Sequence, residues 1–426
     1  MKTVQFPYGK GFITHAFEDH ELVCTLTSRI GQFSPGCDGA ALVKNALEHP
    51  VGMPRLRELA SGRKNIVIIA SDHTRPVPSK LIIPAMLEEI RAGNPAAEIS
   101  ILIATGCHRG TTRQELIEKF GAEIVEHEKI YVHDCDDREN LVNIGTLPSG
   151  GECEINAIAM HADLLLAEGF IEPHFFAGFS GGRKSVLPGI AGRSTVLSNH
   201  CSEFIDNEHA RTGILEGNPI HKDMLWAAKT AKLAFIVNVV LNEEKQVIYA
   251  VAGDVEQAHA DGVRFLTSLC DVQTPKADVV VTTNGGYPLD QNVYQAVKGM
   301  TAAEVAVKEG GVIIMLAEAS DGIGGDHFYH QLADEPDLDK TMEVFRKRGR
   351  NETVADQWQT QVFLRVLKHA QVIFVSEVDD ASIRNMHMIP AHSVGEALQA
   401  ARELLGMEEV RVIAIPDGVA VVAEAI

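Results

Sequence analysis

Residues 168–200 read EGFIEPHFFAGFSGGRKSVLPGIAGRSTVLSNH, a glycine-rich stretch between a strand-like apolar run and a helix-like run. Such a loop can bring backbone N–H groups and a cationic side chain close to an anionic ligand. It is close to the phosphate-loop pattern, which is Gly, four residues, Gly, Lys and then Ser or Thr. Gly178 and Lys184-Ser185 fit that pattern, but Arg183 replaces the second glycine. A bulky side chain at that position argues against a phosphate loop.

Lys184 therefore needs another explanation. A neighbouring cation lowers the pKa of a lysine and makes its amine more nucleophilic. The Arg183–Lys184 pair thus makes Lys184 a candidate for the covalent attachment of a ligand. The simpler alternative is an ordinary surface loop with a solvated Arg–Lys pair.

Apolar runs of strand length alternate with helix-like segments through most of the chain, which favours an α/β fold. The strands predicted in the first half are Asn65–Ala70, Glu98–Thr105, Lys129–His133, Ala162–Ala167, Leu233–Leu241 and Gln246–Val251. A linker is predicted at Cys270–Pro275, and a second α/β unit begins with the strand Ala277–Thr283. We therefore predict two α/β domains with mainly parallel sheets, residues 1–272 and 273–426. The last strand or helix is free to pack back on the first domain.

Polar side chains follow successive predicted strands of the first domain. In an open α/β sheet, ligands bind just beyond the carboxyl ends of the strands. The side chains that this rule brings to one edge are Asp72, Arg75, His108, Arg109, His174, Lys184 and His200. A single histidine after a strand is more often a hydrogen-bonded loop residue than a catalyst. Several such positions on one edge favour a site in the cleft between the domains.

His174 is flanked by Phe175 and Phe176, and an apolar wall would keep its imidazole neutral and able to act as a base. The alternative is a buried structural histidine. His200 is a candidate metal ligand, but one histidine does not make a metal site from protein ligands alone. If His200 binds a metal, the other ligands must come from a cofactor.

The second domain offers one helix face and one aromatic residue. Gln291, Tyr294, Gln295 and Lys298 share a helix face by their spacing, so that Lys298 could project over the cleft and pair with a carboxylate. A solvated helix lysine is the simpler interpretation. Trp358 either walls a pocket or serves only in packing.

The net charge and the cysteine content of the chain argue against several classes of protein. The chain has 426 residues, with 38 Lys and Arg against 58 Asp and Glu, for a formal net charge of −20. That charge argues against nucleic-acid or anionic-membrane partners. Seven scattered cysteines without a Cys-x-x-Cys pair argue against a disulfide framework or zinc ribbon. No signal-peptide pattern or bilayer-length apolar run is present, so the sequence predicts a protein of the reducing cytoplasm.

Four segments together resemble one family, the nickel-pincer-dependent lactate racemases. They are SDHTRPVP at 71–78, ATGCHRGTTRQEL at 104–116, HFFAGFSGGRKSVLPGIAG at 174–192 and NGGYPLDQNVYQAVKGMTAAE at 284–304. The resemblance implies an isomerase that interconverts D- and L-lactate. It also implies a nickel-pincer nucleotide, a pyridinium-3-thioamide-5-thiocarboxylic acid mononucleotide, joined to Lys184 through a thioamide. Soft sulfur ligands in a planar arrangement suit nickel.

The resemblance also assigns roles to residues. His200 would complete the nickel coordination, and His108 and His174 would be the two bases, one for each enantiomer. Asp72 would orient a base or the cofactor. The cofactor phosphate would rest against the glycine-rich loops. The residues expected around cofactor and substrate are Gly178, Gly181, Gly182, Ser185, Arg75, Tyr294, Gln295, Lys298 and Trp358. Cofactor-building proteins would be needed for maturation.

The chemistry of a 2-hydroxy acid supports hydride transfer. Removing the α-hydrogen as a proton would place carbanion charge beside a carboxylate, whereas removing it as hydride leaves a neutral ketone. The hydroxyl proton must leave as the hydride leaves, which requires a base on each side of the substrate.

Alternatives within and outside the family remain open at this point. Cys107 and Pro173 directly precede the two proposed bases, and both positions could change the pocket size and the substrate. Another 2-hydroxy acid is therefore an alternative to lactate. From other classes, the chain could be a kinase-like nucleotide-binding protein or a non-catalytic carrier of the cofactor.

Overall fold

The computed structural model describes residues 1–426 and contains two six-stranded sheets. The first sheet has the spatial order Val247–Gly253, Leu233–Leu241, Leu164–Phe170, Asn65–Ser71, Glu98–Ala104 and Lys129–Val132. Its strands are parallel except at the Val247–Gly253 edge, which pairs antiparallel with Leu233–Leu241. The strand pair predicted for this part of the chain is confirmed.

The second sheet is parallel throughout. Its spatial order is Ile389–Ala391, Gln371–Val375, Val307–Leu316, Ala277–Thr283, Val412–Ile415 and Leu22–Thr25. The prediction of an α/β fold with mainly parallel sheets is confirmed.

Alternation along the strands divides the first sheet between two cores. In Asn65–Ser71, the side chains of Ile66, Ile68 and Ala70 face one core, and those of Val67 and Ile69 face another. The outer core is covered by the helices Gly39–Glu48, Leu56–Ala60, Ser79–Gly93, Arg113–Phe120 and Ala122–His127. A strand buried on both faces needs apolar residues at every position, as the sequence NIVIIA provides.

The inner core is shared by the two sheets, because it also contains Val280, Ile313 and Phe374 of the second sheet. The helices that contribute to it from the first half are Ala157–Met160, Arg193–Asn199, Ser202–Asp206, Pro219–Thr230 and Gln257–Cys270. Those from the second half are Val293–Ala306, Asp326–Ala333, Leu338–Lys347, Gln357–His369 and Asp380–Asn385. The far side of the second sheet is covered by the helix Val394–Leu405.

The N-terminal segment belongs with the second sheet rather than the first. Leu22–Thr25 pairs with Val412–Ile415, and the hairpin of Lys2–Tyr8 and Gly11–Phe17 places Phe6 and Phe17 in the core behind that sheet. This sheet therefore joins residues from both sides of the predicted division at residue 272. The position of the domain boundary stays a prediction. Sequence reasoning could not find this partner, because long-range pairing leaves no local pattern.

Other short ribbons differ from the predicted elements. The segment predicted as a linker forms a strand, Asp271–Thr274, which pairs with a C-terminal strand, Val422–Ala425, that the sequence did not reveal. Leu141–Thr146 and Glu152–Asn156 form a hairpin that was also missed, and Pro173–His174 pairs with Gly178–Phe179 inside the glycine-rich stretch.

None of the helices is both long and apolar enough to cross a bilayer.

Candidate active site

Three neighbouring parallel strands of the first sheet end at one cavity of about 420 Å³ between the two sheets. Asp72 follows Asn65–Ser71, His108 follows Glu98–Ala104, and His174 follows Leu164–Phe170. Because the carboxyl ends of parallel strands meet at one edge, residues distant in sequence come together there. The predicted residues that line the cavity are Asp72, Arg75, His108, His174, Gly181, Lys184, Ser185, His200, Tyr294, Gln295, Lys298 and Trp358.

His108 and Asp72 form the best-defined polar pair of the site. The Nδ1 atom of His108 donates a hydrogen bond to Oδ2 of Asp72 at 2.8 Å, and Oδ1 of Asp72 accepts one from the Thr74 hydroxyl at 2.6 Å. Burial alone would raise the pKa of Asp72, but the hydrogen bonds from His108 and Thr74 outweigh it and lower that pKa below its ordinary value. A carboxylate that binds Nδ1–H leaves Nε2 of His108 with its lone pair free.

The hydrogen bonding of His174 is the reverse of that of His108. Its Nδ1 atom accepts a hydrogen bond from the backbone N–H of Ala177 at 3.2 Å, so the neutral ring carries its proton on Nε2. Burial, followed by the charges of Lys184 and Lys298, holds the pKa of His174 well below its ordinary value. The rings of Phe175 and Phe176 lie 5.1 Å and 4.5 Å away, centroid to centroid. The apolar wall and the neutral imidazole predicted from sequence are both present.

Lys184 lies in a short helical turn, Gly182–Ser185, that follows the ribbon of Pro173–His174 and Gly178–Phe179. Its Nζ atom is 5.8 Å from the ring centroid of Phe176. Gly181 precedes this turn with φ of +82°, and a Cβ atom there would lie 2.8 Å from the carbonyl oxygen of Phe170. Only glycine meets both constraints, so the loop conformation that presents Lys184 depends on this residue.

The amine of Lys184 is in surroundings that favour its neutral form. Its place deep in the cavity, and then the charge of Arg183, hold the pKa of Lys184 well below its ordinary value. The sequence predicted the effect of Arg183 but not the larger effect of burial. Arg183 itself is 1% exposed. The alternative of a solvated Arg–Lys pair on a surface loop is therefore wrong.

His200 is the candidate metal ligand predicted from the sequence. It follows the helix Arg193–Asn199, and its Nδ1 atom donates to the carbonyl of Val196 at 3.0 Å, which leaves the lone pair of Nε2 free for a metal. Burial and the charge of Lys184 lower the pKa of His200 to about 3, so the ring stays neutral. The rings of Phe176 and Trp358 lie 5.1 Å and 5.4 Å away. His200 belongs to no cluster of three protein ligand groups.

The second half of the chain contributes one cation, Lys298, and amide side chains to the opposite wall. Lys298 extends from the helix Val293–Ala306, and its Nζ atom is 5.9 Å from the ring centroid of Phe175. Burial and then Arg75 lower the pKa of Lys298 to about 8. Arg75 lies close enough to lower the Lys298 pKa, and neither cation is in ion-pair contact with a carboxylate, so the two suit a bound anion.

Several cavity residues were not predicted from sequence. They include Glu168, Arg193, Asp356 and Gln359. Gln359 is 1% exposed and donates to the carbonyl oxygen of Tyr294 at 2.5 Å, which links the helix Gln357–His369 to the substrate side of the cavity. Glu168 was part of the quoted glycine-rich stretch, and a carboxylate inside an apolar strand was the signal that could have identified it. The other three follow no recognisable pattern.

Two of the predicted glycines lie behind the cavity wall. A Cβ atom at Gly178 would lie 2.4 Å from the carbonyl oxygen of Ile214, and one at Gly182 would lie 3.0 Å from the ring of His259. Loop packing accounts for both residues. Cys107 lines the main cavity, whereas Pro173 lines an adjoining space of about 60 Å³ beside His174.

The residues fit a tethered nickel-bearing nucleotide in three respects. Lys184 lines the cavity and its pKa lies well below the ordinary value, His200 supplies one free imidazole nitrogen outside any cluster of three protein ligand groups, and the cations Arg75 and Lys298 line the walls. The cavity volume is within the range that small ligands occupy.

Comparisons with known proteins agree with this site. Residues 8–213 match the family model of the lactate racemase N-terminal domain, and residues 272–423 match that of the lactate racemase C-terminal domain. The chain is 51% identical over 423 residues to lactate racemase of Thermoanaerobacterium thermosaccharolyticum, covering 99% of each chain. It is 50% identical over 425 residues to lactate racemase of Lactiplantibacillus plantarum, covering 100% of each chain.

Solved structures give the same result for the fold. The lactate racemase apoprotein of Thermoanaerobacterium thermosaccharolyticum superposes with a TM-score of 0.96 at 50% identity, over 99% of this chain and 100% of that one. A Thermotoga maritima protein at 18% identity, with a TM-score of 0.65, shares the fold over 92% of this chain and all of its own. The chain belongs to the lactate racemase family and is an isomerase.

Proposed function

We propose that this chain interconverts D- and L-lactate with the help of a nickel-pincer nucleotide tethered to Lys184. The observation that carries the proposal is one cavity that holds two histidines of opposite hydrogen-bonding polarity, a lysine whose pKa lies well below its ordinary value, and the cations Arg75 and Lys298. Full-length identity of about half to two lactate racemases supports the choice of substrate.

The carboxylate of the substrate would be held by Arg75 and Lys298. Arg75 is exposed at the cavity mouth, and its guanidinium can form two parallel hydrogen bonds to a carboxylate. Lys298 contributes a charge from the facing helix, and Gln295 on the same helix offers an amide. Binding between the two halves of the chain would draw the walls together and exclude water from the reacting carbon.

The two histidines would handle the hydroxyl proton. His108 is oriented by Asp72 so that Nε2 can accept that proton from a substrate hydroxyl. His174 presents an N–H at Nε2, which can donate a hydrogen bond to the substrate oxygen from another direction. The proton that His108 takes from the hydroxyl would return from His108 when the ketone is reduced again, while the N–H of His174 would stabilise the substrate oxygen by hydrogen bonding without giving up its proton.

Lys184 and His200 would hold the cofactor. Lys184 supplies the amine for covalent attachment, and His200 supplies one nitrogen to nickel from a ring fixed by the Val196 carbonyl. When bound, the group would supply a centre that takes hydride from the substrate and gives it back. Phe176 and Trp358 pack around His200 and keep that part of the cavity apolar.

A chiral assay over a panel of 2-hydroxy acids tests the proposal. Protein produced together with cofactor-building proteins should convert either pure enantiomer of lactate to the racemate. Larger 2-hydroxy acids should react more slowly, because Cys107 and Pro173 border the space beside the histidines. Faster turnover of another 2-hydroxy acid would assign that acid, instead of lactate, as the substrate. A cofactor-loaded protein that turns over no member of the panel would indicate a carrier.

A further inference from the structure

Arg183 is the bulkiest fully buried side chain of the protein, with 1% of its surface exposed, and no carboxylate lies within ion-pair distance of it. Buried cations are normally paired with an acidic side chain, because an unpaired buried charge is costly. Here the charge is retained next to Lys184, on the opposite side of the loop from the cavity. Such an arrangement requires an explanation beyond packing.

Backbone carbonyls and imidazoles of the surrounding loop and helices replace the missing carboxylate. One terminal nitrogen of Arg183 donates to the carbonyl oxygen of Phe179 at 2.7 Å, and the other donates to that of Ala177 at 2.8 Å. The Nε atom donates to Nδ1 of His221 at 3.1 Å. His259, which is 3% exposed, places its Nε2 atom 3.1 Å from the guanidinium and 2.8 Å from the Ser180 carbonyl oxygen.

These contacts fix the curvature of the loop. Carbonyls of residues 177, 179 and 180 point inward to the guanidinium and His259, so the chain wraps around the Arg183 side chain. The turn Gly182–Ser185 then directs the next side chain, Lys184, outward to the cavity. A planar guanidinium with five donors can satisfy such a ring of acceptors, whereas an ammonium cannot match the geometry.

We propose that Arg183, held by His221 and His259, is a positioning residue that fixes the amine of Lys184 toward the cavity in a reactive state. The inference rests on the proposed function, because it concerns the lysine that would carry the cofactor. His221 is suited to this task as a neutral acceptor of the Arg183 Nε–H, whereas the Nε2–H of His259 donates to the Ser180 carbonyl and holds the loop against the guanidinium. Burial and then the charge of Arg183 lower the pKa of His221 to about 4 and that of His259 well below its ordinary value.

The test measures the reactivity of Lys184 in the full-length protein without cofactor. Acetic anhydride at low conversion labels neutral amines, and peptide mass spectrometry gives the labelling of Lys184 relative to Lys222 and Lys347 of the same chain. In Arg183→Ala, this ratio should fall about tenfold or more at fixed pH, as expected if the Lys184 pKa rises by one unit. Added guanidinium ion at low millimolar concentration should restore part of the loss by occupying the vacated site.

Arg211→Met is the matched control. Arg211 is partly buried and donates to carbonyl oxygens only, those of Asn207 and Ala210, but it lies outside the glycine-rich loop. Its loss should leave the Lys184 ratio unchanged. If Arg183→Ala does not fold, His259→Gln takes its place with an expected decrease of about threefold, since one of several contacts that hold the loop around the guanidinium changes.

An unchanged Lys184 ratio in folded Arg183→Ala or His259→Gln, by circular dichroism and thermal melting, would overturn the inference. A decrease that guanidinium does not restore would also count against it, because general loosening of the loop would then explain the loss. The result is independent of the proposed function. The labelling experiment measures the effect of Arg183 on Lys184 even in a chain that never receives the cofactor or never racemises lactate.

Discussion

The Nδ1 atom of His108 lies 2.8 Å from Oδ2 of Asp72, a carboxylate with 1% of its surface exposed. The pair fixes both the ring orientation and the tautomer of a histidine whose side chain is 44% exposed at the cavity. A neighbouring carboxylate also stabilises the imidazolium that forms when the histidine accepts a proton. Asp72 therefore determines which nitrogen of His108 meets the substrate.

Asp72→Asn should separate tautomer control from substrate binding. The amide can donate to Nδ1 and so favour the tautomer that carries its proton on Nε2, which cannot act as a base. We expect a loss of kcat of about 10³-fold with little change in KM, by analogy with carboxylate-to-amide changes beside a catalytic histidine. Steady-state assays in both directions measure it. Glu98→Gln, at an exposed ion pair with Lys129, is the control, and an equal loss there would contradict this account.

Lys298 should give the pH dependence of substrate binding. Its pKa is lowered to about 8, so the ammonium that attracts a carboxylate is present below pH 8 and is lost as the pH rises through that value. We therefore expect KM to rise above about pH 8. In Lys298→Arg the guanidinium stays charged, and the rise should disappear even if KM is higher overall. A KM that stays flat through pH 9 in the unaltered protein would exclude Lys298 as the carboxylate partner.

His200 should hold nickel without being needed for attachment to Lys184. In His200→Ala, we expect the mass adduct on Lys184 to persist while nickel is lost during dialysis, because the proposed protein ligand is then missing and no cluster of three protein ligand groups replaces it. Peptide mass and elemental analysis of one preparation give both quantities. His209→Ala removes an exposed histidine and should keep its nickel. Retention of nickel in His200→Ala would show that another group is the metal ligand.

Phe6 should stabilise the second sheet although it belongs to the N-terminal segment. Its side chain is fully buried in the core that contains Val279, Ile314 and Val412. Phe6→Ala should lower the free energy of unfolding by about 3–5 kcal/mol. Phe12→Ala, at a side chain 68% exposed in the same hairpin, should change it by no more than about 0.5 kcal/mol. Equal effects in denaturant titrations would contradict this assignment of the N-terminal hairpin.

The sequence identified the strands because residues such as Ile66 to Ile69 are apolar at every position, and strand ends located Asp72, His108 and His174. It also made Lys184 a candidate attachment point from its position beside Arg183, and this residue lines the cavity. It did not reveal that Arg183 is buried, because burial of a cation by carbonyls depends on how the loop curls. Nor did it reveal the partner of Leu22–Thr25, since that pairing joins segments nearly four hundred residues apart.

The most direct test of the account is the mass of the Lys184-containing peptide, together with nickel content, in protein produced with cofactor-building proteins and assayed for lactate racemisation. We predict an adduct of the size of the pincer nucleotide on Lys184, nickel in proportion to the chain, and racemisation of either enantiomer. Unmodified Lys184 in a preparation that still racemises lactate would contradict the proposed attachment and the role given to this lysine.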